Sequence, residues 1–172
     1  MRKLALVDYS DKEIGECEKL EAHRKALLHR AFSVVLFNQN GEMLIQRRAK
    51  GKYHSAGLLT NSCCSHPEPN KPVIECAKER LIEELGVVAK ELKDVGSFVY
   101  FNKFDDGLVE YELDHVIVGN YDGEIVLNKE EACECFWKSM EEVESELLNT
   151  PAEYTVWFKE VFFVVKNYFF NK

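Results

Sequence analysis

The pattern of apolar and polar positions along the chain predicts five strands and four helices. In the predicted strands, apolar residues alternate with polar ones or form short runs rich in β-branched and aromatic residues. In the predicted helices, apolar residues recur every three or four positions. The predicted strands cover residues 30–37, 42–48, 95–101, 108–119 and 132–138, and the predicted helices cover residues 17–28, 72–85, 139–148 and 151–169. One helix thus crosses between two sets of strands, which predicts an α/β (α+β) fold.

Turn residues support these boundaries. Asn40-Gly41, between the first two strands, is typical of a tight hairpin turn. Pro72 suits the first turn of a helix, and Gly86 suits the position just beyond the end of that helix. Residues 49–71 form a loop that is long enough to indicate a functional role.

The composition is typical of a globular protein, with 46% hydrophobic and 30% charged residues. The length predicts one domain over residues 1–172, with the last helix (about 150–170) docked on it. The net charge of -8 disfavours broad binding to nucleic acid or anionic lipid, since both require a positive surface. Charged residues interrupt the aromatic-rich C-terminal segment, so we expect no membrane span. The first residues lack the apolar core of a secretory signal, and we therefore expect a cytoplasmic protein.

The stretch "TNSCCSHP", residues 60–67, places two neighbouring cysteines close to a histidine. Three interpretations are open: a metal ligand set, half of a disulfide and a catalytic thiol. In a cytosol the six cysteines of the chain should be reduced, which disfavours a disulfide. Their positions do not give two spaced CxxC pairs, which disfavours a zinc ribbon.

Three acids occupy alternate positions in the predicted strand 108–119. Glu110, Glu112 and Asp114 therefore share one face of that strand. Adjacent carboxylates repel each other, so this face is either solvated or stabilised by a cation, and in the second case one carboxylate can also transfer a proton. Three histidines and two of the acids would together make an octahedral site for a divalent metal. Each of these histidines, taken alone, indicates an ordinary surface or core residue. They are His23, His29 and His66.

The end of the predicted helix 72–85 resembles the signature helix of the Nudix proteins. Aligned on Gly86, Glu83 and Glu84 occupy the positions of the last two signature glutamates. The departures from the signature are Ser65 for the glycine, Lys71 for the first glutamate and Glu79-Arg80 for the arginine-glutamate pair. The resemblance implies a Nudix fold, with a mixed β-sheet core sandwiched by helices. The departures disfavour the diphosphate hydrolysis of the Nudix hydrolases.

Five blocks of sequence resemble the type I isopentenyl-diphosphate isomerases, Nudix-fold enzymes that interconvert isopentenyl and dimethylallyl diphosphate. The blocks follow the order and approximate spacing of that family, from about Lys19 to Trp157. They are "LLHRAFSVVLFN", "QRRAKGKYHSAG", "LTNSCCSHP", "ERLIEELG" and "VEYELDH". Ala56 and Leu59 replace the more usual proline and tryptophan of the loop. Neither replacement removes a group that takes part in the reaction of the family. The resemblance implies an isomerase of isoprenoid biosynthesis that acts by protonation and deprotonation, a 1,3-allylic proton shift.

The resemblance also implies roles for individual residues. Cys64 matches the catalytic thiol of the family, Glu112 its catalytic acid, and Tyr100 a tyrosine that assists the acid. The residues that match its metal ligands, for Mn2+, Mg2+ or Zn2+, are His23, His29, His66, Glu110 and Glu112. Glu84 matches a ligand of the Mg2+ that accompanies the substrate diphosphate. The residues that match its substrate contacts are Lys19, Arg48, Lys52, Arg80 and Trp157.

Two alternative functions use the same fold. A Nudix hydrolase would release phosphate from nucleotide substrates, and a non-enzymatic Nudix-like or metal-binding module would bind a ligand without turnover. The departures in the signature helix disfavour the first alternative. The combination of a matching thiol, tyrosine and two glutamates disfavours the second. The expected partner is a small isoprenoid diphosphate, with no nucleic acid, no membrane and no obligate protein partner.

Overall fold

The computed structural model describes residues 3–52 and 54–170. Within them, nine strands form one mixed sheet, and no helix is both long and apolar enough to cross a membrane. The strands are β1 (Lys3–Val7), β2 (Glu13–Glu18), β3 (His29–Phe37), β4 (Met43–Arg48), β5 (Leu59–Thr60), β6 (Cys63–Ser65), β7 (Leu92–Lys103), β8 (Val109–Asn120) and β9 (Ala132–Lys138). The helices are α1 (Lys19–Lys25), α2 (Val73–Leu85), α3 (Met140–Asn149) and α4 (Phe158–Phe170).

The strand β3 joins the two parts of the sheet that carry the predicted site residues. All nine of its residues are buried. It runs parallel to β8, in a register that places His29 opposite Glu112. It also pairs in the antiparallel direction with β6, where Ser33 lies opposite Cys64. The acid-bearing strand and the cysteine-bearing strand therefore flank the same central strand.

Alternation along β3 directs its side chains into two separate cores, one on each face of the sheet. Val35 packs on one face in a cluster that includes Phe158 of α4. Leu36 packs on the opposite face in a cluster that includes Leu81 of α2. Each fully buried side chain of this size stabilises the fold by roughly 1.5–3 kcal/mol relative to its exposed state. The predicted mixed sheet between helices is confirmed.

The predicted helix 17–28 is wrong at both ends. Cys17 and Glu18 belong to β2, where they pair with residues of β1, and α1 covers only Lys19–Lys25. Ala26 adopts a left-handed backbone conformation, with φ of 51°, and ends the helix. The apolar pattern did not predict the hairpin of β1 and β2. Its cross-strand hydrogen bonds override the helical spacing of the segment, which is a weak determinant on its own.

The predicted long loop 49–71 contains the short strands β5 and β6, which its sequence pattern did not predict. Strands of two and three residues are too short to show an alternating pattern. β5 pairs with β4, and β6 pairs with β3. The pairing attaches the cysteine-containing stretch to the sheet.

The last predicted helix, 151–169, begins later than its pattern indicates. Pro151–Glu153 form a short 3₁₀ turn, and α4 starts only at Phe158. Between them, Tyr154 forms a parallel β-bridge with Leu59. A β-bridge requires an extended backbone, so a continuous helix cannot pass through this position.

The end of α2 provides a test of the predicted cap. Gly86 has φ of 64°, and a Cβ atom there would lie 3.1 Å from Cβ of Val126. Because a left-handed backbone is unfavourable for other residues, we expect Gly86→Ala to lower the free energy of unfolding by about 1–2 kcal/mol. Urea unfolding followed by circular dichroism measures this change.

Gly41→Ala is the matched control for this prediction. Gly41 has φ of 76°, and a Cβ atom there would meet nothing within 4 Å. The control therefore reports the backbone cost alone, and the additional loss in Gly86→Ala reports the contact with Val126. A Gly86→Ala protein as stable as the unchanged protein would contradict the proposed role of Gly86.

Candidate active site

A cavity of about 200 Å³ brings most of the predicted site residues together. Side chains from α1, α2 and five of the strands line it, along with residues from the loops. The predicted residues in its lining are Lys19, Arg48, Lys52, Cys64, His66, Arg80, Glu84, Tyr100, Glu110, Glu112 and Trp157. The other two, His23 and His29, are buried beside it and contact Glu112. The structure therefore collects residues that are far apart in sequence into one site.

Four of the predicted metal ligands form a compact, mostly buried cluster. Their ligand atoms lie within 4.8 Å of one another, and the four residues are His23, His29, His66 and Glu112. The three Nε2 atoms lie 3.9, 3.4 and 2.9 Å, in that order, from Oε1 of Glu112. The fifth predicted ligand, Glu110, is not a member of this cluster. Of the five predicted ligands, the fold thus brings together the three histidines and Glu112, and it leaves Glu110 outside the group.

Backbone contacts orient two of these histidines. Nδ1 of His23 lies 2.7 Å from the carbonyl oxygen of Lys19, and Nδ1 of His29 lies 2.8 Å from that of Leu27. A carbonyl oxygen only accepts hydrogen bonds, so each Nδ1 carries a proton, and each Nε2 lies towards Oε1 of Glu112. Both Nε2 atoms are buried and have no hydrogen-bond partner. Imidazole nitrogens grouped in this way around a carboxylate fit a divalent cation.

The electrostatic environment supports the same conclusion. Burial lowers the pKa of His23, and it lowers the pKa of His66 to about 3, so both rings are neutral at pH 7. Burial alone would raise the pKa of Glu112, but its contacts with His66 and His29 hold that pKa well below the usual value. His23 and His66 are therefore neutral and Glu112 is ionised, the forms that bind metals.

Tyr100 connects the two glutamates of β8. Its hydroxyl oxygen lies 2.8 Å from Oε2 of Glu112 and 3.0 Å from Oε2 of Glu110. A phenol has one hydrogen and cannot donate to two carboxylates at once. Burial, followed by the charge of Glu112, raises the pKa of Glu110 well above its usual value, which favours its protonated form. In that form Glu110 donates to Tyr100, and Tyr100 donates to Glu112.

Cys64 lies in the cavity lining with two directed polar contacts. Its thiol donates a hydrogen bond to Oδ1 of Asn61 at 3.0 Å, and its sulfur accepts one from Nε1 of Trp157 at 3.3 Å. Burial, followed by the charge of Asp114, raises the pKa of Cys64 to about 12. The N–H of Trp157 favours the thiolate and partly opposes this shift. The site thus holds a thiol next to a donor that can stabilise its deprotonated form.

The neighbouring Cys63 faces away from the cavity. It is fully buried in the core against α2, whereas Cys64 borders the core against α4. Successive side chains of a strand point to opposite faces, so the pairing of β6 with β3 separates the two thiols. All six cysteines are free. Of the three interpretations of "TNSCCSHP", the structure excludes the disulfide and places His66 at the metal cluster and Cys64 in the cavity.

Four basic side chains line the cavity beside five carboxyl groups. Arg80 forms ion pairs with Glu84 at 2.5 Å and with Glu131 at 3.4 Å, and Lys52 pairs with Glu131. Burial raises the pKa of Glu84, although Arg80 opposes the shift. Guanidinium and ammonium groups form strong charge-assisted hydrogen bonds with oxyanions. Together with Arg48, these groups explain how a chain with a net charge of -8 can accommodate an anionic ligand.

Three titratable residues of the cavity lining were assigned no role from the sequence. His54 lies in the long loop, and its Nε2 is 3.1 Å from Oε1 of Glu110. Asp114 is buried and accepts a hydrogen bond from Ser33 at 2.8 Å. Glu131 pairs with the basic residues of the cavity. Only Asp114 had a sequence signal, its position on the face of the other two acids, because the contacts of His54 and Glu131 arise from folding of the loops.

Comparison with known proteins defines the class of this fold and site. The NUDIX domain family matches residues 27–158. DR0079 from Deinococcus radiodurans superposes with a TM-score of 0.72 at 19% identity, over 87% of this chain and 90% of that one. The MutT protein from Methanosarcina mazei superposes with a TM-score of 0.63 at 19% identity, over 78% of this chain and 90% of that one. The protein is thus built on the Nudix fold that its α2 sequence predicted.

Sequence relatives define the family within this class. Isopentenyl-diphosphate Delta-isomerase 2 of Aromatoleum aromaticum is 45% identical over 155 residues, 90% of this chain and 82% of that protein. Isopentenyl-diphosphate Delta-isomerase 2 of Photorhabdus laumondii is 44% identical over 158 residues, 92% of this chain and 89% of that protein. The enzyme of Photobacterium profundum is 43% identical over 170 residues, 96% of this chain and 94% of that protein. The chain belongs to the isopentenyl-diphosphate Delta-isomerase family, and the predicted family is confirmed.

Proposed function

We propose that this protein interconverts isopentenyl diphosphate and dimethylallyl diphosphate by protonation and deprotonation in isoprenoid biosynthesis. One observation carries the proposal: the hydrogen-bonded chain of Glu110, Tyr100 and Glu112 and the thiol of Cys64 line the same cavity. Moving a carbon–carbon double bond requires addition of a proton at one carbon and removal of a proton from another. A site that performs this reaction therefore needs an acid and a base around one substrate.

The basic residues of the cavity are proposed to hold the diphosphate. Arg48, Lys52 and Arg80 offer charge-assisted hydrogen bonds to its oxygens, and Lys19 at the start of α1 adds a further positive charge. Glu84 is the proposed ligand of the Mg2+ that accompanies the diphosphate, since carboxylate oxygen is a preferred ligand of that ion. Fixing the diphosphate leaves the isoprenoid carbons to be placed between the acid and the base.

The acid side of the reaction is assigned to Glu112 and Tyr100. Glu112, ionised in the resting site, first takes up a proton that originates on Glu110 and passes through the hydroxyl of Tyr100, because the three groups are already hydrogen-bonded in that order. The proton then adds to the terminal methylene carbon and leaves a tertiary carbocation. A bound divalent ion would orient Glu112 and increase its acidity. The ion would be Mn2+, Mg2+ or Zn2+, held by the three histidines, Glu112 and the proposed fifth ligand Glu110.

The base side of the reaction is assigned to Cys64. Cys64 first releases its thiol proton to solvent, which the nearby charge of Arg48 favours. The thiolate sulfur then takes the proton from the allylic carbon, and the electron pair of the broken C–H bond becomes the new double bond. The Nε1 hydrogen of Trp157 stabilises the thiolate before this step. The aromatic ring of Trp157 is proposed to stabilise the carbocation, and the buried cavity limits access of water that would trap it as an alcohol.

We further propose that residues 1–172 form one catalytic domain that acts in the cytoplasm without an obligate protein partner. The acidic net charge and the small cavity favour a small-molecule substrate over nucleic acid or a membrane surface. The extent of the domain, its cellular location and its lack of an obligate protein partner are proposed independently of the reaction.

Product analysis tests the proposed reaction. The purified protein is incubated with isopentenyl diphosphate, Mg2+ and Mn2+, and the products are separated by liquid chromatography and mass spectrometry. We expect dimethylallyl diphosphate with its diphosphate intact. Release of phosphate, from this substrate or from nucleoside diphosphates in a parallel reaction, would instead indicate a Nudix hydrolase. Binding without any product would indicate a non-enzymatic module.

A further inference from the structure

The side chain of His54 occupies the cavity lining between β4 and β5, and the chemistry described above does not use it. Only 8% of this side chain is exposed. It contacts the β7–β8 hairpin at two places, one polar and one aromatic. The two contacts constrain different parts of the imidazole ring.

The polar contact joins His54 to Glu110. Nε2 of His54 lies 3.1 Å from Oε1 of Glu110, and Oε2 of the same carboxyl group lies 3.0 Å from the hydroxyl of Tyr100. The two oxygens of Glu110 therefore have different partners from different segments of the chain. An imidazole N–H that donates to Oε1 leaves Oε2 for Tyr100.

The aromatic contact joins His54 to Phe104, the residue that directly follows β7. The two rings stack with centroids 4.6 Å apart and an interplanar angle of 20°. Trp157 approaches the imidazole edge-on, with centroids 6.4 Å apart. Packing on the ring face and at its edge fixes the direction in which Nε2 points.

We propose that His54 is a positioning residue for Glu110. It holds the carboxyl group of Glu110 against Tyr100 and so keeps the tyrosine hydroxyl directed at Glu112. This inference rests on the proposed function in so far as it concerns turnover. A glutamate side chain has three rotatable bonds, and a hydrogen bond to a single oxygen leaves several orientations open. A second contact, from His54 to the other oxygen, selects one orientation, in which the acid side of the site is ordered before substrate binds.

Two substitutions separate the polar contact from the aromatic one. His54→Phe keeps a ring that can stack on Phe104 and removes the donor to Glu110. His54→Gln keeps an N–H donor at similar reach and removes the ring. Loss of a hydrogen-bond partner of a metal-binding or catalytic carboxylate typically weakens metal affinity or activity by about 10–100-fold. We therefore expect His54→Phe to lower kcat about tenfold with KM changed less than about twofold, and His54→Gln to remain within about threefold of the unchanged protein.

A double-mutant cycle shows whether His54 acts through Glu110. His54→Phe is combined with Glu110→Gln, and kcat is measured for the four proteins of the cycle. If His54 acts by positioning Glu110, the substitution of His54 has no further effect once Glu110 is replaced. An undiminished loss in the Glu110→Gln background would overturn the proposal, and so would a His54→Gln protein as impaired as His54→Phe.

Metal titration provides a readout that does not depend on turnover. The same proteins, freed of metal, are titrated with Mn2+ in a calorimeter. We expect His54→Phe to bind Mn2+ about tenfold more weakly than the unchanged protein and to add nothing to Glu110→Gln. A His54→Phe protein with unchanged Mn2+ affinity would overturn the inference even if the enzyme is active. Failure of the unchanged protein to isomerise its substrate would count against the proposed function alone.

Discussion

Replacing Cys64 with serine will lower the turnover of isopentenyl diphosphate by about 10³-fold. A serine hydroxyl can keep the position of the thiol and the hydrogen bond from Trp157, which lies 3.3 Å from the sulfur. It releases its proton far less readily than a thiol, so the base of the proposed reaction is lost while the shape of the site is preserved. Steady-state kinetics of the purified variant measure the effect, and thermal unfolding verifies that the fold is retained.

Cys63→Ser is the control for the loss at Cys64. Cys63 is the adjacent residue, but its side chain lies in the apolar core against α2 and outside the cavity lining. Burial of a hydroxyl there destabilises the protein by about 1–3 kcal/mol, and we expect turnover to stay within about threefold of that of the unchanged protein. Equal losses in the two variants, or a larger loss in Cys63→Ser, would contradict the assignment of the base.

Glu112→Gln is the substitution with the second large expected effect, again about 10³-fold on turnover. The amide keeps the size of the side chain but carries no acidic proton for transfer. It also removes the negative charge that faces His23, His29 and His66 in the metal cluster. We therefore expect the purified variant to lose both activity and bound metal, as measured by kinetics and by elemental analysis of the same preparation.

Glu110→Gln removes the proposed fifth metal ligand and the proton reserve behind Tyr100 but keeps the acid Glu112 itself. Glu110 contacts Tyr100 but lies outside the compact group of four ligands, and Glu112 remains in place in this variant. We expect weaker metal retention and a smaller loss of turnover, about tenfold, which excess Mn2+ partly restores. Excess Mn2+ should not restore Glu112→Gln. Full metal occupancy with normal activity in both variants would refute the shared site.

Local patterns predicted the parts of the site that depend on a single strand. The alternation in residues 108–119 predicted that Glu110, Glu112 and Asp114 share a face, and all three line the cavity. This prediction holds because the two-residue period of a strand is set by backbone geometry. The same rule explains why Cys63 and Cys64 point apart, but the three-residue strand that contains them carried no signal of its own.

Other features depend on contacts between distant segments, which a local pattern does not encode. His29 meets Glu112 because β3 and β8 pair in parallel in one particular register. Parallel pairing of strands so far apart in sequence is set by the packing of the whole sheet. His54 reaches Glu110 from the loop between β4 and β5, where the length of the predicted loop 49–71 indicated a functional segment. The resemblance to known isomerases supplied the roles of individual residues that periodicity did not.

Incubation with isopentenyl diphosphate in heavy water tests the central claim most directly. The proposed mechanism adds a proton from exchangeable groups, Glu112 or Tyr100, to the terminal methylene carbon. Deuterium should therefore appear in a methyl group of dimethylallyl diphosphate, and the diphosphate should remain intact. Mass spectrometry and deuterium NMR of the product give its amount and position. Absence of deuterated dimethylallyl diphosphate from a folded, metal-loaded sample would contradict the proposal that this protein catalyses the isomerisation by protonation and deprotonation.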